Sequence, residues 1–169
     1  MRRHKIHSND FSFNGRIEVI FGPMFSGKTT ELLRRRRRHA LANRSCKVVK
    51  YAGDTRYSDC MVTTHDQIMQ DAISASRIED VFEELLKNKV VLIDEGQFFP
   101  DIVEYSELLA NLGKIVIVSS LDGDFKREEF QSKILDLCSL AEDVVKLKAV
   151  CTECSNDASF TCRISSEKK

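Results

Sequence analysis

Net charge is the first thing this 169-residue sequence lacks: 26 Lys plus Arg offset 26 Asp plus Glu. No global field draws the chain toward nucleic acid or an anionic membrane, and a duplex-binding module would be more basic. No apolar run approaches the roughly 20 residues of a membrane span. The basic start from Met1 to Lys5 leads into polar Ser8, Asn9 and Asp10 rather than an apolar segment, so no secretory leader is read and a cytoplasmic protein is expected. Prolines number only two, Pro23 and Pro100, each at a junction between expected elements, and no internal repeat is visible.

Six cysteines are present, and without a leader they read as free thiols or metal ligands rather than as a disulfide framework. Cys46, Cys60, Cys138 and Cys162 are scattered, and only Cys151 and Cys154 form a motif.

Five short apolar, β-branched runs, at 17–21, 48–51, 90–93, 115–118 and 144–147, suit strands buried on both faces. Helical patterns lie between them at 28–43, 77–87, 101–112 and 128–140, with Gly113 placed as a cap after the third. Alternation of this kind predicts an α/β fold with a parallel sheet flanked by helices. The expected division is a loose polar arm over 1–14, a nucleotide-binding domain over 15–149 and a small C-terminal subdomain over 150–169. In such sheets ligands sit beyond the carboxyl ends of the strands, which directs attention to the residues after Phe21, Ile93 and Val118.

Gly22-Pro23-Met24-Phe25-Ser26-Gly27-Lys28-Thr29 matches G-x-x-x-x-G-K-[ST] and lies between an expected strand and an expected helix, the setting this phosphate loop requires. Its glycines let the backbone wrap inward so that amide groups and a helix N-terminus face phosphate oxygens. Lys28 then reaches the β- and γ-phosphates of ATP, and Thr29 ligates Mg²⁺. The strand at 90–93 ends in Asp94-Glu95. Asp94 takes the place of the second Mg²⁺ ligand. Glu95, assigned to the opposite side because side chains alternate along an extended segment, is the candidate general base. These motifs imply use of a nucleoside triphosphate and leave the acceptor open.

The phosphate loop, Lys50-Tyr51-Ala52-Gly53-Asp54-Thr55-Arg56-Tyr57, Thr64-His65-Asp66, Asp94-Glu95-Gly96-Gln97-Phe98-Phe99-Pro100-Asp101 and Leu121-Asp122-Gly123 together resemble the type II thymidine kinases, in the same order over about residues 15–163. The resemblance implies a RecA-like core, a homotetramer, ATP with Mg²⁺, thymidine and deoxyuridine as acceptors in nucleoside salvage, and feedback inhibition by dTTP. It places Met24, Phe98, Leu121, Phe125, Phe130 and Thr161 at the thymine pocket. Asp54, Thr55, Arg56, Gly96 and Gln97 join the phosphate loop at the nucleotide, with Arg56 offsetting charge on the transferring phosphoryl group. By residue type alone, Phe98, Phe99, Phe125 and Phe130 read as core or interface, and His65 reads as structural.

Cys151-Thr152-Glu153-Cys154 resembles the first half of that family's structural zinc site, which takes four ligands in a zinc-ribbon-like subdomain. The second ligand pair and the lasso that closes over thymidine are not in the sequence, and a chain cut within a loop is the expectation; Zn²⁺ then has half a site. Residues 34–38 are five consecutive arginines, which on a helix sweep the full circumference and cannot all face water. Arg36 and Arg37 follow Leu32 and Leu33 by one turn, and one or the other is expected to be buried at a subunit contact. The rival readings are a P-loop ATPase, a nucleic-acid-binding module built on the arginines and the cysteine pair, and an inactive truncated kinase.

Overall fold

The computed structural model describes residues 15–53, 61–63 and 69–163. Asp54, Thr55, Arg56 and His65 lie outside the described residues, as do the arm at 1–14 and the tail at 164–169.

The elements run β1 (Arg16–Phe21), α1 (Lys28–Leu41), β2 (Cys46–Tyr51), β3 (Met61–Thr63), β4 (Met69–Asp71), β5 (Ile73–Ala75), α2 (Phe82–Leu86) and β6 (Val90–Ile93). After them come α3 (Ile102–Asn111), β7 (Ile115–Ser120), α4 (Leu137–Leu140), β8 (Asp143–Lys146), β9 (Ala149–Val150) and β10 (Asp157–Ala158). All five apolar runs are strands, and with β5 they make a six-stranded sheet of order β5-β2-β6-β7-β1-β8 in which every pairing is parallel. Two small antiparallel pairs, β3 with β4 and β9 with β10, stand apart from it.

Strand alternation divides the apolar side chains between two layers. Ile20, Val48, Val90, Leu92, Ile115 and Ile117 pack with Leu32 and Leu33 of α1. On the opposite face Ile17, Val19, Val49, Val91, Ile93, Val116 and Val118 pack with Leu85 of α2, Ile102 and Leu109 of α3, and Leu137 of α4. Burial on both sides is why β6 and β7 read as continuous apolar runs.

Helix α3 ends where Gly113 was expected to stop it. Gly113 adopts φ 82° and its N–H donates to the carbonyl of Ala110, while Lys114 N–H donates to that of Leu109. These two bonds close a Schellman cap.

The helix expected over 128–140 is corrected: only a 3-10 turn at Ile134–Asp136 and the single turn of α4 form there. Lys133 adopts φ 52°, a left-handed conformation that a right-handed helix cannot pass through. Upstream, the Asp124 carboxylate accepts from Lys126 N–H and Glu128 N–H and closes a compact loop instead. The pattern at 77–87 likewise narrows to a 3-10 turn at Glu79–Val81 followed by α2.

The arginine run sits on α1, and the inward place falls mainly to Arg35. Buried positions on this helix include Lys28, Leu32, Leu33 and His39. A 3.6-residue period carries the stripe from Leu32 to between positions 35 and 36 and then to 39. Arg35 meets Glu18 of β1 at 2.7 Å, Asp143 of β8 at 2.7 Å and Glu31 at 2.9 Å. Arg36 is half-buried, with an Nε that has no hydrogen-bond partner, whereas Arg37 is exposed.

Candidate nucleotide and nucleoside site

Backbone geometry makes the phosphate loop. Gly27 adopts φ 83°, which turns the chain into α1 without a Cβ penalty. At Gly22 a Cβ would come within 2.5 Å of Ser26 Oγ and 2.9 Å of the Leu147 carbonyl, so nothing larger fits under the loop. Lys28 is buried and its Nζ donates to the Pro23 carbonyl at 2.9 Å, lying across the loop mouth. No side chain caps the N-terminus of α1, so the positive end of that helix faces the loop. Ser26 Oγ is buried without a hydrogen-bond partner. An orphaned hydroxyl, a capless helix start and a lysine in one loop fit a polyphosphate.

Between the phosphate-loop strand β1 and the carboxylate strand β6 lies β7, and its last residues bridge the two. Asp94 is buried; it accepts from Thr29 Oγ1 at 3.1 and 3.3 Å and from Ser119 Oγ. Burial, with the neighbouring Glu95 charge adding to it, pushes the Asp94 carboxyl up to about 6. A divalent cation between Thr29 and Asp94 would relieve that penalty by supplying the opposite charge, so the residues present fit Mg²⁺.

Glu95 does not follow strand alternation. It adopts φ 54°, ψ 45° and begins a 3-10 turn at Gly96–Phe98, so a left-handed turn sets its direction. Such a conformation costs a non-glycine residue about 1–3 kcal/mol and is found where function demands it. Gly96 lets this turn lie against β7: a Cβ there would be 2.6 Å from Val118 Cγ1. Gln97 is buried, donates through Nε2 to Glu95 Oε2 at 2.7 Å, and accepts at Oε1 from Ser120 Oγ at 2.9 Å and Leu121 N–H at 3.1 Å.

The aromatic residues divide by exposure. Phe99 is fully buried and belongs to the core, as its residue type suggested. Phe98 and Phe125 are each 44% exposed, which removes them from the core. Phe98 stacks at a tilt on Tyr51 with centroids 5.3 Å apart and meets the edge of Phe130 at 6.3 Å. The Arg163 guanidinium sits 4.8 Å from the Phe125 ring. Thr161 Oγ1 accepts from Met24 N–H at 3.0 Å, which brings two expected pocket residues 137 positions apart into contact. Phe25 projects into solvent from the loop tip.

Sequence reasoning pointed to the positions after Val118 but gave Ser119 and Ser120 no role, and it gave Tyr51 none. The available signal was a pair of hydroxyls closing a strand that is otherwise apolar.

Cys151 and Cys154 lie on the turn between β9 and β10, where Cys151 N–H donates to the Asn156 carbonyl and Ser155 N–H to the Cys151 carbonyl. Backbone hydrogen bonds from Cys154 and Glu153 hold the Cys151 thiol below its ordinary range. Among the described residues no group of three or more His, Cys, Asp or Glu could hold a metal ion, and Cys162 is exposed. Two thiols do not make a closed tetrahedral zinc site.

The family model described as "Thymidine kinase" matches residues 15–169. The chain is 57% identical over 155 residues to the cytosolic thymidine kinase of Gallus gallus, covering 92% of this chain and 69% of that protein. It is 55% identical to the cytosolic thymidine kinase of Homo sapiens, with 92% and 65% covered, so it spans about two thirds of these relatives' length. Against the thymidine kinase of Variola virus it is 52% identical over 155 residues, with 92% and 86% covered. No described helix is long and apolar enough to cross a membrane. A family match that takes in the phosphate loop, the Asp94-Glu95 turn and the aromatic residues beside it settles the lineage: the chain belongs to the thymidine kinase family.

Proposed function

We propose that the site transfers the γ-phosphoryl group of ATP to the 5′-hydroxyl of thymidine, or of deoxyuridine, giving the nucleoside monophosphate and ADP for DNA precursor salvage. The observation that carries this reading is the placement of Asp94 and Glu95 at the end of β6, one strand from a complete phosphate loop, with Thr29 bonded directly to Asp94. Mg²⁺, when bound, would neutralise charge on the phosphate oxygens.

Lys28 leaves the Pro23 carbonyl and donates to the β- and γ-phosphates. The loop amides and Ser26 Oγ surround the remaining oxygens. Thr29 and Asp94 would hold the metal, and Ser119 donates to the same Asp94 carboxylate. Phe98, Phe125 and Phe130 offer aromatic faces and edges to a flat base, with Met24, Leu121 and Thr161 beside them. By the family resemblance Asp54, Thr55 and Arg56 join the nucleotide-binding set, with Arg56 offsetting charge on the transferring group. Glu95 accepts the proton of the 5′-hydroxyl as its oxygen bonds to the γ-phosphorus and the bond to the bridging oxygen of ADP breaks. The homotetramer and dTTP inhibition belong to the same reading and rest on the family resemblance, as does the assignment of Cys151 and Cys154 to half of a zinc site.

The test is turnover with ATP and thymidine, followed by intact nucleotide analysis. Glu95→Gln keeps the shape of the side chain and removes its basicity. Positioned bases contribute roughly 10²–10⁴-fold, and a loose phosphoryl transfer belongs at the lower end, so a loss of about 10²-fold is expected with ATP binding retained. A change below about threefold would remove Glu95 from the role. ATP hydrolysis that ignores thymidine would replace the kinase reading with an ATPase.

A further inference from the structure

Gln97 is 3% exposed, lies three residues from Asp94 and takes no part in the chemistry set out above. Its carboxamide nevertheless has one allowed orientation. Leu121 N–H, 3.1 Å away, can only donate, so the amide atom facing it is the oxygen. Ser120 Oγ donates to the same oxygen at 2.9 Å. The NH₂ end is thereby aimed at Glu95 Oε2, 2.7 Å away. The three bonds form one relay from the end of β7 to the end of β6: the backbone of Leu121, the Gln97 carboxamide, the Glu95 carboxylate.

The backbone alone does not determine where that carboxylate points. A left-handed turn fixes the Glu95 Cα–Cβ vector and leaves its side-chain torsions to rotate. A base must be held near its proton to be effective, and a displacement of about 1 Å can cost on the order of 10²-fold in rate. Leu121, at the other end of the relay, opens the loop that carries Phe125 and Phe130.

We infer that Gln97 is a positioning residue: it locks the Glu95 carboxylate to the start of the base-binding loop, so that the proton acceptor and the loop receiving the nucleobase keep one geometry. The inference rests on the reading of Glu95 as general base. In this role Gln97 acts through Glu95.

Two substitutions in the full-length protein test it. Gln97→Met keeps the side-chain length and removes both ends of the relay. Gln97→Glu keeps the acceptor for Ser120 and Leu121 and sets a carboxylate oxygen against Glu95 where the donor was, so it disturbs the Glu95 end alone and answers the question even if Gln97→Met fails to fold. For each folded variant kcat for thymidine phosphorylation falls at least about tenfold. Combined with Glu95→Gln, Gln97→Met then adds less than about threefold to the loss, because its effect runs through a carboxylate that is already gone. Retention of kcat within about threefold in the folded Gln97 variants, or losses that multiply in the double variant, overturns the inference. The two readings fail separately: a silent Glu95→Gln removes the base itself, whereas a crippled Glu95→Gln beside active Gln97 variants removes only the positioning role.

Discussion

At the residue scale, the site depends on hydroxyls that hold charged groups in place. Ser119, fully buried on β7, donates to Asp94, whose carboxyl burial pushes up to about 6. Ser119→Ala leaves Thr29 as the carboxylate's side-chain hydroxyl donor. Loss of a hydrogen bond to a charged buried group costs about 1–3 kcal/mol, so denaturant unfolding should show a stability loss in that range. With one donor fewer, Asp94 gives up its proton less readily, and a higher Mg²⁺ concentration should be needed for half-maximal turnover. An unchanged Mg²⁺ requirement would show that Ser119 does not orient the metal ligand. Neither Ser119 nor the Gln97 relay could be read from the residues alone, because a serine closing a strand is identical on paper whether its hydroxyl meets a carboxylate or water.

At the scale of one element, α1 shows how an unusual sequence is absorbed. Arg35 answers three carboxylates, with only 14% of its side chain exposed and 10% of that of Glu18. Arg35→Met should lower unfolding free energy by about 1–3 kcal/mol, since it removes the cation shared by Glu18, Glu31 and Asp143 and leaves Glu18 with Arg16 alone, whereas exposed Arg37→Ala should stay within about 0.5 kcal/mol. Equal effects from the two would remove Arg35 from its place in the packing. The same network predicts a pH dependence. Hydrogen bonds from Arg34, then from Arg35, hold the Glu31 carboxyl down at about 2, against an ordinary 4.5, with partial burial opposing them. A depressed folded-state value means this stabilisation is complete above the ordinary pKa and disappears as pH falls through about 2. Glu31→Gln should therefore flatten the slope of stability against pH between about pH 5 and pH 2 and change it little near neutrality. The existence of α1 was legible from its pattern, but the inward arginine was not: the stripe runs between positions 35 and 36, and the acids waiting there come from β1 and β8.

At the scale of the whole molecule, the parallel sheet brings the ends of β1, β6 and β7 to one edge, where Thr29, Asp94 and Ser119 meet, so the proposed nucleotide binding and global stability are linked. Binding to the native state alone stabilises by about 2.7 kcal/mol at a ligand concentration of 100 Kd. Mg·ATP should thus raise the unfolding midpoint of the parent chain, and Lys28→Ala should lose most of that shift while keeping its own unliganded midpoint nearly unchanged. A full shift in Lys28→Ala would show that this lysine does not hold the phosphates.

The sequence by itself determined the alternating α/β fold, the five principal strands and the phosphate loop, because each is a local pattern: a buried strand is a short apolar run, and eight consecutive residues contain every feature the loop needs. It determined the family for a similar reason, since the motifs recur in order along the chain. Only the tertiary structure decided which side chains finish the site. The sheet order places β7 between β6 and β1, and that placement brings Ser119 to Asp94 and Ser120 to Gln97, 25 and 23 residues away in sequence. Strand order is set by how two apolar faces are best covered at once, which no single segment encodes. The direction of Glu95 was decided there as well, by a left-handed turn seated tightly on Val118 where strand alternation pointed elsewhere.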